Sequence, residues 1–147
     1  MKYKFKGKRK DTGEWIKGSL FIHGEKFYIL TTEANVYLSK DMDNPAYNYG
    51  ENIIMYGIYE VIPETVGQWT GLLDENGEEI YEGDILRWKY AGMEEEFFFV
   101  EDIFSVYREK VKYAKRHMDD WHLPSIAKVI GNKWDNPGLL KGGNHDD

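Results

Sequence analysis

TGLLDENGEEIYEGDIL, Thr70 to Leu86, carries the pattern that decides the fold. Two short apolar runs flank Asn76-Gly77, the pair that suits a type I′ hairpin turn because both central residues must hold φ above zero. Glu82-Gly83-Asp84 then supplies a second turn. Beyond it Ile85, Arg87 and Lys89 alternate with Leu86, Trp88 and Tyr90, the period of a strand. Met93 to Val100 is expected to pair back with that strand across Ala91-Gly92. Short strands broken by turn residues about every ten positions argue for a small barrel of SH3-like type, or a sandwich.

The rest of the chain reads in the same way. Lysines alternate with Tyr3 and Phe5 over Lys2 to Lys8, as in a strand with one wet face, and Asp11, Thr12 and Gly13 form a turn. Trp15 to Ile22 and Lys26 to Thr31 form a hairpin around His23, Gly24 and Glu25. A separate short strand is expected at Val36 to Leu38, an exposed loop at Asp41 to Gly50, and a strand at Ile53 to Ile62 that Pro63 ends by removing a donor. Ala127 to Ile130 is a last strand and Trp134 to Gly138 a turn.

One segment departs from the β rhythm. Ile103, Tyr107, Val111, Ala114, Met118 and Trp121 recur every three or four residues, the spacing of one helical face from about Asp102 to Asp120. Arg108, Lys112, Lys115 and Arg116 form the opposite, basic face, and Pro124 prevents continuation. The expected architecture is mainly β (α+β): a β meander over residues 1–62, a small barrel-like lobe with the helix over 63–140, and a polar tail over 141–147.

Composition bounds the chemistry. Aromatic residues make up 16% of the 147 and apolar residues 41%, too much for a disordered chain and weighted toward strands. Cysteine is absent, which removes disulfides, thiolate metal sites and a cysteine nucleophile. No leader-like or membrane-length apolar run occurs, so a cytoplasmic protein is expected. The formal net charge of −7 opposes phosphate backbones and anionic lipid, and nucleic-acid binding would need a local basic patch.

Two blocks, Glu64 to Leu86 and VIGNKWDNPGLL from Val129 to Leu140, resemble the YopX family of phage and prophage proteins. The basic opening Lys2 to Leu20 is similar as well. The resemblance implies a bacterial host and a family of undefined molecular function, and it brings no catalytic residues. Asn76, Gly77, Gly71, Gly83 and Gly131 read as turn formers, Asp74 and Asp84 as carboxylates that cap turns, and Pro137 as a bend. Trp69, Trp134 and Asn136, with the basic helix face, are the candidates for a recognition surface.

Signatures of phosphate loops, zinc proteases and serine hydrolases are absent. His117, Asp119, Asp120 and His122 read as a polar helix end rather than a metal site, and Glu79, Glu82 and Asp84 as solvated turn residues. Glu94 to Glu96 reads as an acidic strand edge. No cofactor, metal or catalytic residue is therefore assigned. The leading expectation is a noncatalytic accessory or interaction protein that forms a homo-oligomer or binds another protein; the alternatives are a nucleic-acid-binding module and, third, a carboxylate-dependent hydrolase.

Overall fold

The computed structural model describes residues 3–38, 53–88, 95–102, 104–106, 108 and 127–139. By its internal contacts the chain forms two compact units, Lys4–Val66 and Gly67–Asp147, the second including Met1–Tyr3. The described residues are predominantly strand, and every strand pairing within the two units is antiparallel.

The unit Lys4–Val66 is a four-stranded meander: β1 Phe5–Lys8, β2 Trp15–His23, β3 Lys26–Leu38 and β4 Ile53–Val61, in spatial order β4-β3-β2-β1. The turn between β2 and β3 has two residues, since His23 pairs with Lys26, and Gly24 takes φ 63 there. Val36 to Leu38 is not a separate strand but the continuation of β3. A register shift between Leu30 and Asn35 absorbs the irregularity, opposite Gly57 at φ 70, and the Thr31 hydroxyl donates to the Gly57 carbonyl at 2.9 Å. Without a turn at Thr31 to Asn35, the two runs read from the sequence become one bulged strand of 13 residues. The expected loop at Asp41 to Gly50 lies outside the described residues.

This sheet curls until its ends touch. Arg9, just past β1, bridges Val61 at the end of β4; Lys10 N donates to Glu60 O at 3.0 Å, and Ile62 N to Lys8 O at 2.9 Å. Glycine permits the curl. A Cβ on Gly7 would sit 3.1 Å from the Val61 Cβ, and one on Gly18 would strike the Leu30 carbonyl. Ile29 and Val61 are fully buried inside. Pro63 ends β4 as expected and opens a short 3-10 turn, Pro63–Thr65, whose Thr65 hydroxyl accepts from Lys8 N at 2.9 Å and donates to Ile62 O at 2.6 Å.

The unit Gly67–Asp147 holds the hairpin of β5 Gly67–Leu73 and β6 Glu79–Tyr81, and a three-stranded sheet, β8-β7-β9, of β7 Asp84–Trp88, β8 Glu96–Phe99 and β9 Ala127–Asn132. The β7–β8 pairing and the last strand match the sequence, whereas the pairing of β9 with the other edge of β7 was not read from it, and the turn at Ala91-Gly92 lies outside the described residues. Among the described residues no pairing closes a barrel in this unit. Both edges of β7 are taken by β8 and β9, and the chain leaves the hairpin through Gly83 at φ 93 before entering β7. Ile80 and Leu72 of the hairpin instead pack over Leu86, Val100, Val106 and Ala127. Each fully buried aliphatic side chain of this kind is worth about 1.5–3 kcal/mol.

Of the expected helix, Ser105, Val106 and Arg108 are helical, and the remainder lies outside the described residues. Asp102 caps its start: its carboxylate accepts from Phe104 N at 2.8 Å, and Ser105 Oγ accepts from Asp102 N at 2.9 Å.

Candidate functional site

The outer face of the first three strands is the site with the most distinctive chemistry. In β2 the odd-numbered residues Lys17, Ser19, Phe21 and His23 are exposed, whereas Ile16 and Leu20 are partly covered and Gly18 is buried. Period two therefore gives this strand one wet face. The register carries that face sideways. Lys6 lies opposite Lys17 and Lys8 opposite Trp15; across the other edge, Phe21 lies opposite Tyr28 and His23 opposite Lys26.

Rings and ammonium groups intermingle on it. Phe21 is 53% exposed, stacks parallel to His23 with centroids 6.5 Å apart, and meets Tyr28 at 6.1 Å. At the other end Lys6 and Lys8 place their Nζ atoms 5.1 and 5.8 Å from the centre of the Trp15 ring. That ring offsets part of the repulsion that the facing lysines 6 and 17 create. The wet lysine face expected of β1 is thus partly covered: Lys6 keeps only 9% of its surface exposed.

Beside this face, at the β1–β4 bridge, lies an open groove of about 340 Å³ lined by Lys10, Asp11, Ile58, Tyr59 and Glu60. Its charges are internally matched. Arg9 grips Asp11 through two hydrogen bonds of 3.0 and 2.8 Å and lies 3.9 Å above the Tyr59 ring, and Lys10 reaches Glu60 at 3.0 Å. The Arg9 hydrogen bond holds the Asp11 carboxyl below the usual range.

Residues singled out from the sequence mostly hold the second unit together. Trp69 is half-buried and donates Nε1 to Leu72 O at 3.0 Å; Trp134 is half-buried against Gly83. The Asn136 side chain accepts from Asn132 N at 3.2 Å. It also fills the space where a Cβ on Gly131 would go, so that glycine answers a close approach inside β9 rather than a turn. Pro137 begins a short helical turn.

The Asn76-Gly77 turn differs from the expected two-residue form. Gly77 N donates to Asp74 O at 3.1 Å, so Glu75 and Asn76 are central, and Gly77 at φ 79 is the bulge residue that follows. Asp74 decides this: its Oδ1 accepts from Asn76 N and Glu78 N, both at 2.8 Å, and its Oδ2 from Val129 N at 3.0 Å.

Glu79, Glu82 and Asp84 are not simply solvated turn residues. Asp84 is 1% exposed and accepts from Tyr81 N, Glu82 accepts from Gln68 N, and Glu79 accepts from the Tyr81 hydroxyl at 2.9 Å. Burial, then the Glu79 hydrogen bond, pushes the Tyr81 phenol far up. Arg108 is exposed and 3.3 Å from Asp102, while Lys112, Lys115, Arg116, His117 and His122 lie outside the described residues.

A family profile described as "YopX protein" matches residues 4–141. The chain belongs to the YopX family. Among solved structures, this YopX family member is similar to protein EF1440 from Enterococcus faecalis, at 20% identity and a TM-score of 0.45, over 94% of this chain and 97% of that one. No curated protein matches its sequence.

Sequence reasoning missed Phe21, His23, Tyr28, Lys17 and Lys26 as a group, because it placed them in strands without asking which face they share. The signal was there. Residues 15–23 contain no acid, and their odd positions carry every exposed ring and charge of β2.

Proposed function

We propose that this YopX family member is a noncatalytic phage or prophage accessory protein, working in the cytoplasm of a bacterial host by holding a partner against the outer face of β1, β2 and β3. The observation that carries this reading is the ring cluster of Phe21, His23 and Tyr28 on a solvent-facing sheet surface. A single exposed apolar residue is ordinary, but grouped exposed rings are a feature of interaction surfaces, where aromatic side chains give contact area at little entropic cost. Ile22, at 50% exposure, extends the apolar tip beyond the covered part of the other face. A second copy of the chain is one partner such a face accepts.

Affinity capture from bacterial extract, together with light scattering, tests the reading with wild type and Phe21→Ser/Tyr28→Ser. The variant should keep the wild-type circular dichroism and lose the partner, or the self-association, that wild type shows. Identical retained components and identical mass for both proteins would remove the basis for the proposal.

A further inference from the structure

Charge is sorted on this molecule in a way its total conceals. The chain carries 26 acidic and 19 basic residues, yet β1, β2 and the part of β3 up to Leu30 contain four lysines and no acid. Register places all four, Lys6, Lys8, Lys17 and Lys26, on the outer face that also presents Trp15, Phe21, His23 and Tyr28. Among the described residues, acids stand at its border, Glu60 directly opposite Tyr28. Glu60 binds Lys10 at 3.0 Å, Glu14 lies 3.6 Å from Arg9, and Glu25 is in the β2–β3 turn.

We infer that this face binds single-stranded nucleic acid, with bases stacking on the rings of Phe21 and Tyr28 and phosphates drawn to Lys17 and Lys26. The inference rests on the partner-binding reading above and names the partner. Interleaved rings and ammonium groups on an exposed sheet are what a flexible polyanion with aromatic bases requires: every base offers a π face, and the lysines follow the backbone between them. A protein partner would be served by the rings alone and would use the lysines only if its own surface were acidic. Duplex DNA, whose bases are already stacked, could use the lysines but not the rings. The nine residues of β2 span about 26 Å, enough for roughly four nucleotides, at the lower end of small β-domain sites. Lys6, mostly covered, contributes to the local field rather than to direct contact.

The test is fluorescence anisotropy of the full chain with a labelled oligothymidylate of about 12 nucleotides, at about 50 and 200 mM salt. Wild type should bind with a Kd of about 10 μM or tighter at the lower salt. Phe21→Ala should weaken binding about tenfold without changing the salt dependence, because it removes stacking and no charge. Lys17→Glu and Lys26→Glu should each weaken it about tenfold and flatten the salt dependence. Lys128→Glu, an equal change of net charge on β9, should have less than a threefold effect. Circular dichroism verifies folding, and the two lysine reversals, at exposed positions, keep the test decisive if Phe21→Ala fails to fold. No wild-type binding at about 100 μM protein, or binding indifferent to Phe21 and equal for duplex, overturns the inference. Should the oligonucleotide fail while Phe21→Ser/Tyr28→Ser still abolishes a protein complex or self-association, the nucleic-acid assignment falls and the partner-binding reading stands. Failure of both removes both.

Discussion

At Gly83 two demands meet that only glycine satisfies. Its φ of 93 lies where a β-branched residue clashes with its own backbone, and any Cβ would run into the Trp134 ring. Gly83→Val should therefore destabilise by about 1–3 kcal/mol or more, seen as a lower urea midpoint; an unchanged midpoint would contradict the turn geometry. Asp74 is the second such residue, with one carboxylate holding its own loop and Val129, 55 residues away. Asp74→Ala leaves three backbone N–H groups without their acceptor and should cost about 3 kcal/mol in equilibrium unfolding, with Asp74→Asn intermediate. The turn half of each role was legible from Asn76-Gly77 and Glu82-Gly83-Asp84. Their long-range halves were not, because nothing near Gly83 announces Trp134 and nothing near Asp74 announces the Val129 amide.

Elements were read well where periodicity and a breaker agreed, and less well where one was missing. The β2–β3 hairpin had Gly24 between two apolar runs, and β4 had Pro63 at its end; both stand where the sequence placed them. Strand β3 lacked a breaker, so a bulge looked like a gap. At the helix start, Asp102 gives an electrostatic test. Its carboxyl is held below the ordinary value, first by the Phe104 N–H and further by Arg108. A depressed folded value means that the stabilisation is complete above the unfolded pKa, about 3.9, and disappears as pH falls through the folded value. Amide exchange at Phe104 and Arg108, corrected for intrinsic rates, should accelerate over that acid range in wild type. In Asp102→Ala it should be fast already at neutral pH and flat; equal profiles would rule out the cap.

On the scale of the whole molecule, the total charge and its distribution point to opposite behaviour, and distance decides between them. At about 0.15 M salt a charge is felt over about 8 Å. A strand of a few nucleotides lying along β2 stays within that distance of Lys17 and Lys26, whereas a long rigid duplex must also approach surface governed by the net −7. Random duplex DNA should accordingly bind no better than weakly at that salt, and lengthening it from about 12 to 40 base pairs should not tighten binding per site. A mobility-shift series with duplexes of increasing length measures this directly. Submicromolar binding that strengthens with length would mean that the lysine face is part of a wider basic surface, and that the sorting of charge onto β1, β2 and β3 is not what selects the ligand.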